Sequence, residues 1–164
     1  MENANNYQFN IQGKELTIQR EFNGTLAQVW RAYTDSEILD LWWAPKPWKC
    51  KTKSQDFRVG GRWLYAMVGP ENEEHWATFI YDQIENESLF SGKDAFTDSE
   101  GNENKDMPAS HWKITFEGNG DNTIVRNYCS YESEDILQQF LDMGFKEGYE
   151  SGMSNLDNLL KNGI

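Results

Sequence analysis

The hydrophobic period of this chain changes from alternating to helical, back to alternating, and finally to helical again. Alternation at residues 14–22 predicts a first strand, and the helical spacing that follows predicts two short helices ending before Pro45. A last segment, 133–161, carries apolar residues on one broad face and predicts a long amphipathic helix. Between them, alternation broken by Gly, Asn and Asp turns predicts further strands at 49–54, 62–68, 75–84, 88–96, 111–117 and 122–131.

Glycines interrupt the apolar face of the predicted last helix. Gly144, Gly148 and Gly152 are four residues apart, and each costs about 1 kcal/mol relative to alanine inside a helix. Either a sheet packs very close to the helix there, or space is kept for a ligand. At 1.5 Å per residue the helix would span about 40 Å, enough to cross an antiparallel sheet.

Length and order of elements indicate one α+β domain. The 164 residues suit a single core, for which we predict a range of 14–161 preceded by a polar N-terminal segment, 1–13. Only 38% of residues are hydrophobic while 14% are aromatic. The core is therefore expected to consist of few, large side chains.

The net charge of the chain disfavours several classes of binding partner. There are 27 acidic residues against 15 basic ones, a formal charge of −12, which disfavours nucleic acids and anionic membranes. The N-terminus lacks the pattern of a signal peptide, and no segment approaches about 20 apolar residues. Cys50 and Cys129 are too few for a disulfide framework. We expect a cytoplasmic protein that neither binds nucleic acid nor inserts into membranes.

Short motifs along the chain add a family resemblance. In order they are residues 20–22 (REF), 29–30 (VW), 42–45 (WWAP), 56–63 (DFRVGGRW), 96–102 (FTDSEGN) and 144–149 (GFKEGY). With these motifs the chain resembles the activator of heat-shock-protein-90 ATPase homologue-like family, within the START-related, birch-pollen-allergen-like superfamily (SRPBCC).

The resemblance implies a helix-grip fold. In that fold a curved seven-stranded antiparallel sheet surrounds the long C-terminal helix, and two short helices follow the first strand. A cavity between sheet and helix often takes hydrophobic small molecules. The family is named for a cochaperone with a second, N-terminal domain. We expect this chain to lack that domain, so the family name does not give its activity.

Aromatic residues from several elements are candidates for the wall of such a cavity. Small-molecule sites are mostly apolar, with a few fixed polar groups, although aromatic residues on a strand face are equally typical of ordinary core. The candidate ligand-binding residues, with Trp42 expected near the mouth, are Trp42, Trp63, Tyr65, Met67, Trp76, His111, Trp112, Phe145, Gly148, Tyr149 and Met153. Arg126 and Asn127 are further polar candidates. One residue of register error would turn a whole strand to its other face.

The chain carries no local signature of metal, nucleotide or nucleophile chemistry. Neither His75 nor His111 has metal-ligand spacing or a nucleophile motif nearby. Counted from Asp98, the acidic loop lacks the glycine and the glutamate that a calcium-binding EF-hand loop requires. We expect no catalytic nucleophile, no metal and no cofactor.

Three classes of function stay open at this point. The leading hypothesis is a non-enzymatic carrier or sensor of a hydrophobic small molecule, aromatic or lipid-like. The alternative is an enzyme of cyclase or hydrolase type, in which His111 or Tyr149 polarises a bound carbonyl. The third is a protein-interaction role, through contact of the acidic surface with a chaperone or through a homodimer.

Overall fold

One antiparallel sheet and four helices form the protein, in a computed structural model that describes residues 6–164. The strands are β1 (Gln8–Gln12), β2 (Glu15–Phe22), β3 (Lys49–Gln55), β4 (Arg62–Val68), β5 (Glu74–Glu85), β6 (Leu89–Thr97), β7 (Ser110–Asn119) and β8 (Asn122–Ser130). The helices are α1 (Leu26–Thr34), α2 (Ser36–Trp42), α3 (Glu134–Asp142) and α4 (Phe145–Asn162). The predicted α+β class is confirmed.

The sheet has eight strands in the order β1-β2-β8-β7-β6-β5-β4-β3, so the predicted number of seven was wrong. The extra strand, β1, lies in the segment predicted to be a polar tail, of which residues 1–5 fall outside the described part. Because β1 is an edge strand, it needs only backbone pairing with β2, and a largely polar sequence is sufficient for that. Gly13, at φ 62°, makes the turn between the two strands.

The predicted continuous helix over 133–161 is in fact two helices. α3 ends at Asp142, and Gly144 adopts a left-handed conformation with φ 91° before α4 begins at Phe145. A left-handed glycine is a common helix terminator. The apolar stripe continues across the break, which is why periodicity alone predicted one helix. Of the segments within residues 6–164, none forms a helix long and apolar enough to cross a bilayer.

The first two helices fill one end of the sheet's concave face. α1 begins with a reciprocal capping box between Thr25 and Gln28, and Asp35 caps α2 by accepting from the Glu37 amide. The caps fix these short helices so that Trp30 reaches the sheet, where its ring packs edge-on against other aromatic rings. Its partners are Phe57, Phe90 and Phe116. This end of the molecule is solid core.

The second half of α4 is held firmly against the rest of the fold. Leu156 is fully buried, and Asp157 forms an ion pair with Arg20 of β2. On the opposite side, Asn155 Nδ2 donates to the carbonyls of Trp42 and Ala44 at 3.2 and 3.0 Å. The first half of α4 contacts the sheet through Phe145 and Tyr149. Beside these contacts a hollow remains between the helix and the sheet.

Candidate functional site

A cavity of about 440 Å³ lies between the first half of α4, the segment that ends α2, and strands β4 to β7. Its size falls within the range of roughly 300–1,000 Å³ that is typical of small-molecule sites. The wall is mainly aromatic and aliphatic. Among the residues predicted for the site, those that line it are Trp42, Tyr65, Met67, Trp112, Phe145, Gly148, Tyr149 and Met153.

Two of the predicted tryptophans lie deeper than the mouth. Trp42 is 3% exposed and donates its indole N–H to the Ala32 carbonyl at 2.9 Å, so it belongs to the inner wall and not to the entrance. Trp63 lies behind the wall, stacked on the Tyr65 ring with centroids 4.0 Å apart. Its indole N–H donates to Thr52 Oγ1. These bonds fix the rings that shape the cavity.

Trp76 and His111 lie on the outer face of the sheet, and their assignment to the cavity is corrected. Trp76 packs under the Lys53 ammonium, 5.9 Å from the ring centre. His111 Nε2 lies 2.8 Å from Asp82 Oδ2. Successive strand residues point to opposite faces. Because Trp112 faces inward, His111 has to face outward, and Trp76 is likewise opposite to the inward-facing Ala77.

The three spaced glycines have three different causes. At Gly144 the backbone is left-handed, which favours glycine. At Gly152 an added Cβ would lie 3.3 Å from the Trp43 carbonyl oxygen, so helix and loop backbones approach closely there. At Gly148 an added Cβ would meet only Pro45 Cγ, at 3.8 Å, among the described residues. Gly148 therefore borders open space, while Gly152 is a contact point.

The loop after α2 supplies wall residues that the sequence analysis missed. Trp43 and Pro45 both line the cavity, and Trp43 donates its indole N–H to the Tyr65 hydroxyl at 3.2 Å. The Trp43 ring also lies 6.0 Å from that of Trp112, across the cavity wall. The WWAP motif was the available signal, but it pointed to a loop without showing which way the loop faces.

Asp94 is the most informative residue that the sequence analysis missed. It lies on the concave face of β6, partly buried, and its carboxyl borders the cavity. Burial raises the pKa of Asp94 to about 7. Within residues 6–164 no hydrogen bond or neighbouring charge offsets that burial. The alternation of Phe90, Gly92, Asp94 and Phe96 was a usable signal, since it places an acid on an otherwise apolar face.

Tyr149 and Asn127 form the other polar contact beside the cavity. Asn127, which is fully buried, donates from Nδ2 to the Tyr149 hydroxyl at 3.1 Å. Burial raises the pKa of Tyr149 well above the usual tyrosine range. Arg126, the neighbouring candidate, is instead bonded to Gln19 and Glu117. Tyr149 is thus a neutral hydroxyl with a fixed orientation.

Reactive thiols and metal ligands do not converge on this cavity. Cys50 and Cys129 are buried and unbridged, and burial raises both thiol pKa values, which disfavours the reactive thiolate. Across the described part of the chain, no three His, Cys, Asp or Glu side chains are grouped so that they could hold a metal ion. The chemistry available at the cavity wall is that of Asp94, Tyr149 and His75.

A sheet wrapped around a C-terminal helix, with a hollow between them, defines the class of helix-grip proteins. The family model described as "Activator of Hsp90 ATPase homolog 1-like protein" matches residues 23–161. The chain belongs to this family, and the resemblance drawn from its motifs is confirmed.

Solved structures of bacterial proteins share the fold. Protein Ms6760 from Mycobacterium smegmatis is 32% identical with a TM-score of 0.84, and the match covers 94% of each chain. A protein from Arthrobacter aurescens is 24% identical with a TM-score of 0.88, over 96% of this chain and 92% of the other. One from Staphylococcus epidermidis is also 24% identical, with a TM-score of 0.85 and coverage of 96% and 95%. No curated protein matches the chain.

Proposed function

We propose that the protein binds a hydrophobic small molecule in the cavity between α4 and the sheet. The observation that carries the proposal is the open space beside Gly148. A helix glycine costs about 1 kcal/mol relative to alanine, and here the backbone geometry permits a larger side chain. A cavity that persists where a methyl group would fit is better explained by an occupant than by packing.

The wall favours an aromatic or lipid-like occupant. Trp43, Tyr65 and Trp112 present rings, while Met67 and Met153 present flexible apolar side chains. Burial of apolar surface stabilises a complex by about 25 cal/mol per Å² removed from water. Methionine adapts to irregular shapes, so the wall suits a rigid ring system with apolar substituents.

We infer that a ligand enters at the junction between α3 and α4. Met143 is 54% exposed beside the left-handed Gly144, and Gly144, Phe145 and Pro45 all border the cavity. A helix break gives this corner fewer backbone hydrogen bonds than a continuous helix would have. The junction is therefore the segment whose movement would admit a ligand at the lowest cost.

Retained ligand and dye uptake together test the proposal. Protein purified from its native cells would be analysed by mass spectrometry under native and denaturing conditions, because a retained compound names its own chemical class. Purified protein would also be titrated with the neutral dye N-phenyl-1-naphthylamine. We expect saturable fluorescence enhancement at one site. Absence of any retained compound together with absence of saturable dye binding would contradict the proposal.

A second candidate function is acid–base catalysis at the same cavity, and Asp94 is the observation that favours it. A carboxyl with a pKa near 7 can both donate and accept a proton at neutral pH. Of the two residues expected for this role, His111 faces the opposite side of the sheet, while Tyr149 lines the cavity as a neutral hydroxyl whose pKa is raised by burial. An enzyme of cyclase or hydrolase type would therefore use Asp94 to exchange the proton, with Tyr149 as a hydrogen-bonding group, and Asp94→Asn would abolish any turnover of the retained compound.

A further inference from the structure

We propose that the ligand of this cavity is a hydrophobic cation: an aromatic or alkyl amine whose charged nitrogen lies against the Asp94 carboxyl while its apolar part fills the rest of the cavity. This rests on the proposed function and adds the chemical class of the ligand.

The residues around Asp94 do not satisfy its carboxyl. Its cross-strand neighbours are Phe79 on β5 and Ser110 on β7. Phe79 is apolar, and the Ser110 hydroxyl accepts the indole N–H of Trp112 at 2.8 Å. Among the described residues, no hydrogen bond to the Asp94 carboxyl contributes to its pKa. Along β6 the same face carries Gly92 and Phe96. A carboxylate removed from water without a partner is strongly disfavoured, and the raised pKa of Asp94 reflects this cost. A cationic ligand would favour the ionised form by supplying the missing partner.

No fixed cation competes for that position. The titratable side chains that face the cavity with Asp94 are Tyr65 from β4, His75 from β5 and Tyr149 from α4. Cys129 on β8 and Tyr131 just after that strand lie nearby. Lysine and arginine are absent from the described lining residues. His75 is four residues along β5 from Phe79, about 13 Å at 3.4 Å per residue. Asp94 therefore has no fixed positive partner among the described residues, and a cationic ligand would act as the counter-ion of its ionised form.

The wall around Asp94 suits a cation. Trp43, Tyr65 and Trp112 border the same cavity, and the faces of aromatic rings attract ammonium groups. The chain's formal charge of −12 also favours the approach of cations over anions. Apolar walls, an unpaired acid and aromatic faces together match an amphiphilic amine better than a neutral lipid or a carboxylic acid.

The test compares two ligands of nearly the same shape. 2-Naphthylmethylamine is protonated at neutral pH, and 2-ethylnaphthalene is its uncharged counterpart. Each would displace N-phenyl-1-naphthylamine from the wild-type protein, from Asp94→Asn and from Glu85→Gln, which removes a charge on an exposed position of β5 as the matched control. We expect Asp94→Asn to weaken amine binding by about tenfold or more. Binding of 2-ethylnaphthalene, and both ligands in Glu85→Gln, should be unchanged.

The pH dependence of the wild-type protein is a second readout that needs no variant. The amine binds ionised Asp94, whose pKa is about 7 in the free protein, so its affinity should fall about tenfold between pH 8 and pH 6 as the carboxyl takes up a proton. Affinity for 2-ethylnaphthalene should stay constant. The pH dependence tests whether the amine pairs with ionised Asp94 even if Asp94→Asn fails to fold.

Each contrary outcome has a distinct meaning. Equal affinity for both ligands, insensitive to Asp94→Asn and to pH, would contradict the proposal that the ligand is a cation. Binding of a hydrophobic small molecule in the cavity would still be supported. Tighter binding of the neutral ketone 2-acetonaphthone than of the amine at pH 8 as well as at pH 6 would also overturn the proposal of a cation, because Asp94 would then act as a protonated hydrogen-bond donor to a carbonyl and not as the partner of a cation. Binding of none of these compounds, with no dye uptake, would overturn the proposed function itself.

Discussion

The two ends of the sheet's concave face carry similar aromatic residues, but one end is filled by side chains and the other encloses a cavity. At the end covered by α1, Trp30 fills the space, with ring centroids 6.1, 6.0 and 5.0 Å from those of Phe57, Phe90 and Phe116. At the end covered by α4, a cavity of about 440 Å³ remains, and Gly148 borders it. We call these the packed end and the hollow end.

The difference shows that the covering helix decides whether the space against an aromatic-rich sheet is filled or left open. Both ends have large rings on the strands. At the packed end α1 places the Trp30 indole among them, whereas at the hollow end the Phe145 and Tyr149 rings of α4 border the cavity without filling it, and Gly148 between them has no side chain. An unpaired acid, Asp94, faces the hollow end. The hollow end thus combines an empty cavity with a carboxyl that has no partner among the described residues, which is the combination expected of a ligand site.

The largest effect should come from emptying the packed end. Trp30→Ala removes a side chain that is 6% exposed, and loss of a buried Trp typically costs 3–5 kcal/mol, on the order of total domain stability. Trp43→Ala, at the wall of the hollow end, should cost clearly less because Trp43 is only partly buried beside space that is already empty. Urea unfolding followed by circular dichroism measures both. Equal losses would remove the distinction between the two ends.

Asp94→Asn should stabilise the protein at high pH. The folded pKa of about 7 lies above the unfolded value near 3.9, so wild-type stability is fully present below about pH 4 and is lost as pH rises through 7. The loss is at most about 4 kcal/mol at 1.36 kcal/mol per pKa unit, less for a carboxyl that meets cavity water. The variant should therefore exceed the wild type in free energy of unfolding at pH 8 and match it near pH 4. Parallel pH profiles for the two proteins would show that Asp94 is well solvated.

Gly152→Leu should destabilise the protein by about 1–3 kcal/mol or more, the usual cost of overpacking. The new side chain would meet the backbone of Trp43, whose carbonyl oxygen lies 3.3 Å from the added Cβ. It would also disturb the bonds from Asn155 to the same segment. Thermal unfolding measures the loss. If thermal stability is unchanged, the loop after α2 moves to accommodate the new side chain, and the close approach of the two backbones does not require glycine.

The smallest destabilisation should follow Gly144→Ala. A non-glycine residue in the left-handed conformation costs roughly 1–2 kcal/mol, and Gly144 has φ 91°. Met143→Ala, at the exposed neighbouring position, is the matched control and should change the free energy of unfolding little. If both variants unfold alike, the helix break does not depend on the left-handed glycine.

Most of the fold and part of the candidate site could be predicted from the sequence. Alternation in residues 62–68 correctly places Tyr65 and Met67 on the cavity face, because an uninterrupted strand keeps its period. On β5 the inner face carries His75, Ala77 and Phe79, so the large Trp76 on the outer face was the misleading signal. A bulge between Tyr81 and Gln83 also shifts the register with β6.

Other features could not be derived from local pattern. The direction of the loop bearing Trp43 depends on tertiary contacts with Tyr65, and the apolar stripe gave no sign of the break at Gly144. Spacing alone could not separate the cause of Gly148 from that of Gly152, since both sit on the same helix face. The distinction lies in what each opposes, which is open space in one case and backbone in the other.

The most direct test of the account fills the hollow end through Gly148→Leu, with dye uptake and stability measured on the same sample. The account predicts loss of N-phenyl-1-naphthylamine binding together with unchanged or increased stability, by up to about 1 kcal/mol from helix propensity. Destabilisation with dye binding intact would contradict it, because Gly148 would then be a packing glycine and the cavity would not be the binding site.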